Sequence, residues 1–180
     1  FTRKGTQWSA GVQITTTPVA PPTGVYCTAN GNTSFQTSIT SVTFGTINST
    51  SAKSTYTDYT ATQFTNVSRG TTLPLSVRLN TDGNYYVYSY VYIDWNADGD
   101  FTDAGEQYTL GFTRNNANGS TSLSPLSIDI PVSAKIGTTR MRVVGQYYAL
   151  GSSSNPTPPT ANPCVTGIDG EVEDYGITVT

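Results

Sequence analysis

Residues 84–106 read NYYVYSYVYIDWNADGDFTDAGE, an alternating run of tyrosine and valine that leads into an acidic loop. Five carboxylates fall within its last thirteen residues, although only 12% of the chain is charged. Asp94, Asn96 and Asp98 occupy alternate positions, and Gly99 follows where a calcium-binding loop turns sharply. Ca²⁺ takes six to eight oxygen ligands, which such a loop supplies from side chains and a backbone carbonyl. The stretch therefore predicts a Ca²⁺ site.

The loop departs from an EF-hand at its closing ligand and in its flanks. Counted from the first aspartate, Asp103 stands at position 10 and Glu106 at position 13, whereas an EF-hand closes with a glutamate at position 12. Strand-like sequences on both sides favour a loop between two strands. The expected ligands are Asp94, Asn96, Asp98, the carbonyl of Asp100 and, in preference to Asp103, the carboxylate of Glu106. The alternative is a metal-free turn, since Asp, Asn and Gly favour turns. Repulsion within so dense a cluster favours the ion.

The strand before the loop separates by parity into two faces. Val87, Val91 and Ile93 lie on the face that we expect to enter the core. The opposite face carries a ladder of four tyrosines, namely Tyr86, Tyr88, Tyr90 and Tyr92. Such a ladder is either a platform on which sugar rings stack or a surface covered by neighbouring segments. The four tyrosines are our candidate ligand-binding residues.

Composition and spacing predict an all-β domain without enzymatic activity. Strand signals recur along the chain with turn residues between them and no helical pattern, which predicts a β-sandwich of about seven to nine strands, jelly-roll or immunoglobulin-like. The net charge of −3 and the scattered basic residues argue against nucleic acid as a partner. No apolar run is long enough to cross a membrane. The chain contains no His, which removes the usual nucleophile and zinc chemistries, so we expect no catalysis.

Domain organisation follows from a proline-rich stretch and two cysteines. Residues 15–24 hold three prolines among threonines and are typical of a semi-extended linker. Residues 1–14 before them are interpreted as the tail of an upstream module, or alternatively as an edge strand of this domain. Residues 25–180 form the predicted sandwich. Cys27 and Cys164 stand near its two ends and predict one disulfide in an exported protein.

A second acidic cluster, Asp169–Asp174, directly precedes the last predicted strand. By parity Glu171 and Glu173 share a face, and such like charges are costly unless cations neutralise them. Arg140 and Arg142 belong to a strand that we expect to pair nearby. A structural ion-pair network is therefore the favoured interpretation, and a ligand or a second metal is the alternative.

The two acidic segments together resemble the hallmarks of the GEVED domain family. The first hallmark is found at Tyr92–Glu106, and the second reads Gly-Glu-Val-Glu-Asp-Tyr at Gly170–Tyr175. Further similar pieces are Tyr26-Cys27, Tyr56–Tyr59 and Gly137–Val143. The similarity extends over about residues 25–180.

The resemblance implies a β-sandwich accessory module of secreted, multidomain bacterial proteins, often beside peptidases or polysaccharide-degrading domains. It implies no reaction. Our hypothesis is a calcium-stabilised, non-catalytic module, secreted or at the cell surface, that holds an upstream catalytic domain of the same chain on a polysaccharide. One alternative is a module that binds a protein matrix such as collagen for a peptidase. Another is a purely structural spacer.

Overall fold

The computed structural model describes residues 24–148 and 158–180, which form eleven β-strands and no helix. The strands are β1 (Ser38–Phe44), β2 (Ile47–Thr50), β3 (Tyr56–Asp58), β4 (Phe64–Val67), β5 (Thr72–Asn80), β6 (Tyr86–Ile93), β7 (Gln107–Arg114), β8 (Gly119–Ser120), β9 (Leu126–Asp129), β10 (Gly137–Tyr148) and β11 (Gly170–Val179). No helix of these residues could span a membrane. The interpretations of residues 1–14 and, apart from Gly24, of the linker lie outside the described residues.

The strands form two sheets, which confirms the predicted all-β sandwich, although there are eleven strands where about seven to nine were predicted. Sheet I has the order β2-β1-β5-β8, with β9 also paired to β5. Sheet II has the order β3-β11-β10-β6-β7, with β4 also paired to β11. The short strands β3 and β4 run parallel to β11, one after the other, and all other pairs are antiparallel. The long antiparallel ladders of β11, β10 and β6 are therefore the frame on which the acidic segments are placed.

Apolar side chains at alternate positions fill the space between the sheets. Leu75, Val77 and Leu79 of β5 are fully buried there, and so are Val87 and Val91 of β6. Completely burying such a side chain contributes about 1.5–3 kcal/mol. The predicted core face of β6 is confirmed.

Sheet II is also covered on its other face, which the sequence analysis did not establish. Residues 24–31, the N-terminal segment, and residues 158–168, the C-terminal segment, lie against this face and pair with each other. The disulfide between Cys27 and Cys164 joins them, as predicted, across a sequence separation of 137 residues. The domain therefore has a third layer, made of irregular chain, over the tyrosine-bearing face of β6.

The last strand begins earlier than expected. We predicted that the second acidic cluster precedes a strand starting near Tyr175, whereas β11 starts at Gly170 and includes most of the cluster. The reason is that these residues hydrogen-bond along β10 on one side and along β3 on the other. Their carboxylates must therefore find partners inside the fold.

Candidate metal centre

The acidic loop joins the end of β6 to the start of β7, and its backbone turns through left-handed conformations. Ala97, Gly99 and Gly105 have φ angles of 52°, 96° and 93°. Gly99 also packs against the N-terminal segment, because a Cβ placed on it would lie 2.2 Å from the Cα of Gly24. Glycine is thus required at position 99 by both conformation and space.

Three carboxylates of the loop gather on its exposed side. Asp98, Asp100 and Asp103 each offer a carboxylate oxygen, and these oxygens lie within 4.8 Å of one another. The amide of Asn96 donates hydrogen bonds to Asp98 (2.9 Å) and Asp103 (2.7 Å). None of the three aspartates forms a salt bridge with a described residue. The cluster is therefore a concentration of negative charge that an external cation would relieve.

Asp94 has a different position from the other aspartates of the loop. Its side chain is fully buried and accepts hydrogen bonds from the Tyr26 hydroxyl (2.7 Å) and from the backbone N–H groups of Asp98 (3.3 Å) and Gly99 (3.1 Å). The hydroxyl of Thr139 donates to its backbone carbonyl at 2.5 Å. Asp94 thus fixes the start of the loop and connects it to the layer above sheet II.

Glu106 closes the loop from the inside. It is 2% exposed, and its Oε1 accepts the N–H groups of Trp95 (2.7 Å) and Asn96 (3.5 Å). Its Oε2 is buried and has no hydrogen-bond partner in the described part of the chain. Burial raises the pKa of Glu106 to about 7, and the nearby carboxylates of Asp94 and Asp103 add to this rise. A buried carboxylate oxygen without a donor is costly, and a cation would satisfy it.

A small cavity lies beside the loop, and neither Asp98 nor Asp100 lines it. Its volume is about 160 Å³, and its lining includes Glu106, Asn96 and Asp103. Of the predicted ligands, the structure gathers Asn96, Asp98 and Asp100 with Asp103 on the outside, whereas Glu106 is buried and is not among the carboxylates that lie within 4.8 Å of one another. Asp100 joins the group through its side chain, while we had expected its carbonyl. Asp94 lies outside the group of three carboxylates and organises the loop.

In the second acidic segment Asp174 is neutralised by the protein itself, whereas Oδ1 of Asp169 and Oε1 of Glu173 are buried without a hydrogen-bond partner among the described residues. Asp174 accepts hydrogen bonds from Arg140 (2.7 Å), from Arg142 through two nitrogens (both 2.8 Å) and from the Tyr56 hydroxyl (2.9 Å). Arg142 is 2% exposed and also donates to the carbonyls of Cys27 (2.8 Å) and Pro163 (2.9 Å). The expected ion-pair network is present, but it forms around Asp174 and holds both segments of the third layer.

The two glutamates of this segment point to the other face of the sheet and have no arginine partner among the described residues. Glu171 accepts the N–H groups of Ile39 (3.0 Å) and Ser54 (2.7 Å). Glu173 accepts the Tyr175 hydroxyl at 2.7 Å. Burial raises the pKa of Glu171, and it raises that of Glu173 to about 7. Both carboxylates therefore belong to the interior between the sheets.

Tyr26 connects the two acidic segments, a role that sequence reasoning missed. Besides its hydrogen bond to Asp94, its ring stacks on Phe101 of the loop at 5.0 Å between centroids. The guanidinium of Arg140 lies 4.7 Å from the same ring, and that of Arg142 lies 5.2 Å from Phe101. The only signal in the sequence was the Tyr26-Cys27 pair among the GEVED-like pieces.

The predicted tyrosine platform needs correction, because most of the ladder is covered. Tyr88 and Tyr90 are 4% exposed, Tyr92 is 1% exposed, and Tyr86 is half-buried. The Tyr90 hydroxyl donates to the carbonyl of Pro159 at 2.6 Å, in the C-terminal segment. A face so covered is not an open surface for sugar rings. Of the two alternatives, the structure matches the one in which neighbouring segments bury the tyrosines.

Fold and site together define a disulfide-linked β-sandwich with an acidic loop between two strands and an internally paired acidic strand. The GEVED domain model matches residues 88–178, which include both acidic segments. The chain therefore belongs to the GEVED domain family, a family of accessory domains. No match to the chain was found among curated proteins or among solved structures.

Proposed function

We propose that this domain is a calcium-stabilised, non-catalytic binding module of an extracellular protein. The observation that carries the proposal is the oxygen-rich loop, in which the carboxylates of Asp98, Asp100 and Asp103 gather within 4.8 Å of one another; the same loop also holds the unpartnered, buried Oε2 of Glu106, which is not part of that group. Carboxylate and amide oxygens are the ligands that Ca²⁺ prefers. The disulfide is compatible with an oxidising compartment.

The ligands would come from the outer and inner parts of the loop. Asp98, Asp100 and Asp103 would supply carboxylate oxygens, and Glu106 would supply its Oε2. Asn96 donates its amide nitrogen to two of these aspartates, while its Oδ1 accepts the N–H of Asp98 at 3.1 Å, so its oxygen would reach an ion only after these bonds rearrange. Ca²⁺ supplies no reaction here. It neutralises the loop and fixes it against the N-terminal segment.

The calcium hypothesis predicts a measurable stabilisation. With a Kd of about 0.1–1 mM, typical of extracellular modules, about 1 mM Ca²⁺ adds roughly 0.4–1.4 kcal/mol to the free energy of unfolding. For a domain of this size the melting temperature then rises by about 1 to 6 °C. We expect calorimetric titration to show Ca²⁺ binding to the chain, and Mg²⁺ at the same concentration to bind more weakly.

Asp98→Asn removes one proposed ligand, and Asp129→Asn is its matched control. Asp129 is an exposed aspartate on β9, so the control removes the same charge from a residue outside the loop. The first variant should lose the Ca²⁺-dependent shift, and the second should keep it. Equal shifts in both variants, or no Ca²⁺ binding by the unmodified chain, would overturn the calcium proposal.

Binding to a polymer is the second element of the proposed function. A module that anchors an attached enzyme to a polymer raises the local concentration of the enzyme's substrate. The module needs no catalytic residues of its own for this. We favour a polysaccharide and test it by co-sedimentation of the chain with insoluble cellulose, chitin and xylan, with collagen fibres as the protein-matrix arm. Retention on collagen alone would replace polysaccharide by protein as the ligand.

A structural spacer is the competing function, and the buried tyrosines favour it. With Tyr88, Tyr90 and Tyr92 inside the fold, the predicted sugar-binding face is removed from the surface. A spacer would bind Ca²⁺ but would remain in the supernatant with every polymer of the panel.

A further inference from the structure

A second candidate site lies at the opposite end of β6 from the calcium loop. It is a cleft of about 340 Å³, lined by Phe35, Thr37, Asp82, Tyr85, Tyr147 and Asp169. These residues come from the chain before β1, the turn between β5 and β6, the end of β10 and the approach to β11. The volume falls at the lower end of the range for ligand sites, about 300–1,000 Å³. Eight residues of β6 separate the cleft from the loop, about 26 Å at the usual rise per strand residue.

Aromatic rings form the walls of this cleft and remain open to solvent. Phe35 is 50% exposed and Tyr85 is 52% exposed, in contrast to the buried tyrosines of β6. Tyr85 meets Tyr147 edge to face, with ring centroids 5.5 Å apart and an interplanar angle of 85°. Exposed aromatic side chains that converge on one concavity mark a binding surface more often than isolated ones do.

Two carboxylates stand beside these rings. Asp82 accepts the backbone N–H of Gln36 at 3.0 Å, which fixes it at the rim. The carbonyl of Asp169 accepts the N–H of Tyr147 at 2.8 Å, which holds the carboxyl group next to the aromatic wall. The Oδ1 of Asp169 is buried and has no hydrogen-bond partner among the residues that the structure describes. The cleft thus places the carboxylates of Asp82 and Asp169 beside the aromatic rings, where the donors of a ligand would hydrogen-bond to their accessible oxygens.

A sugar ring matches this combination of surfaces. Its C–H faces pack on aromatic rings, while its hydroxyls donate to carboxylates. A cationic ligand would also be attracted by the carboxylates and by the π faces of the rings. The positive charge of Lys53 disfavours a cationic ligand. Burial raises the pKa of Asp169, and the ammonium of Lys53 opposes this rise. The ammonium also donates a hydrogen bond to the carbonyl of Thr37, at 2.7 Å, so it lies beside the cleft. The edge-to-face tyrosines also form one wall, not a cage around a cation.

We propose that the cleft between Phe35, Tyr85 and Asp169 is a glycan subsite, which takes a sugar ring of a neutral polysaccharide. The proposal rests on the polymer-binding part of the proposed function and gives it a location. In this proposal the tyrosines of the ladder only stabilise the fold, and the polysaccharide is bound at the end of β6 that lies away from the acidic loop. The proposal also makes glycan binding independent of the calcium loop.

The test uses the full chain in affinity electrophoresis and co-sedimentation with cellulose, chitin, xylan and a mixed-linkage β-glucan. Tyr85→Ala removes an exposed ring outside the strand, and Asp169→Asn removes a charge with little change of shape. Each should weaken retention at least tenfold. The matched control is Phe64→Ala, since Phe64 is 55% exposed but lies outside the cleft. Retention should be the same in EDTA and in Ca²⁺.

Three results would overturn the proposal. Undiminished retention of both cleft variants would move the subsite elsewhere while leaving polymer binding intact. Binding of choline or arginine by calorimetry, sensitive to Tyr85→Ala and without any glycan binding, would make the cleft a cation site. Failure of the unmodified chain to bind any polysaccharide of the panel would overturn the subsite together with the polymer-binding function, but not the calcium site.

Discussion

The two acidic segments of this domain have similar compositions and opposite environments. In the loop, three carboxylates gather at the surface without a cationic partner in the described structure. In β11, Asp174 is fully buried and held by two arginines, while the glutamates accept N–H and hydroxyl donors. Charge density alone therefore does not distinguish a metal site from a structural network. What distinguishes them is that two arginines of β10 form ion pairs with Asp174, whereas no described residue forms one with the three aspartates of the loop.

The largest effect should come from breaking the internal network. Asp174→Ala leaves the guanidinium of Arg142 buried without its partner, and loss of one member of a buried pair costs about 3–5 kcal/mol. We expect a loss of this size in denaturant unfolding with the disulfide intact. The matched change in the loop is Asp98→Ala in EDTA, which should alter the free energy of unfolding by less than about 1 kcal/mol. Similar losses in the two variants would remove the distinction between the segments.

Because Glu173 is buried, its titration should make the free energy of unfolding depend on pH. Burial raises the pKa of Glu173 to about 7 in the folded state, above the ordinary glutamate value of 4.5, so the folded protein binds the proton more tightly than the unfolded chain. Its contribution is fully present below about pH 4.5 and is lost as the pH rises through about 7. The difference of roughly 2.5 pKa units corresponds to about 3 kcal/mol.

The measurement compares unfolding curves of the unmodified chain and Glu173→Gln between these pH values. Glu106 and Glu171 also have raised pKa values, so only the difference between the two proteins isolates Glu173. The variant should show a flatter dependence on pH by about the stated amount. Parallel curves would mean that Glu173 ionises normally inside the fold.

Two glycines of the loop separate backbone strain from packing. Gly99→Ala meets both a positive φ and the backbone of Gly24, whereas Gly105→Ala meets only a positive φ, with nothing within 4 Å of the added Cβ. We expect Gly105→Ala to cost about 1–2 kcal/mol and Gly99→Ala to cost clearly more. Thermal unfolding of the two variants measures the difference. Equal losses would mean that the N-terminal segment does not press on the loop.

The sequence was sufficient for the features that local patterns determine. Alternation predicted the core face of β6, residue spacing predicted the acidic loop, and the cysteine pair predicted the disulfide. The strands β2, β3, β4 and β8 have only two to four residues, too few for alternation to be recognised. The cover of the tyrosine ladder was not predictable, because its two segments are irregular and more than a hundred residues apart.

Local patterns were also insufficient to assign the carboxylates of the two segments. The spacing of Asp94, Asn96 and Asp98 suggested equivalent ligands, but Asp94 is buried by Tyr26, a residue 68 positions away. In the same way, the sequence suggested that the arginines neutralise Glu171 and Glu173, which share a face of the strand. In the structure both arginines pair with Asp174 on the opposite face. Which acid faces solvent and which faces a donor is decided by partners from distant strands.

The smallest effect should be the most specific, because its sign depends on the ion. Asp103→Asn removes one charge from the exposed cluster and keeps an oxygen that accepts the hydrogen bond from Asn96. In EDTA the variant should be slightly more stable than the unmodified chain, by less than about 1 kcal/mol, since it relieves repulsion between like charges. In Ca²⁺ it should be less stable, because the ion loses a carboxylate ligand. Asp129→Asn should show neither change, and an Asp103→Asn effect of the same sign in both solutions would mean that the cluster is an ordinary acidic turn.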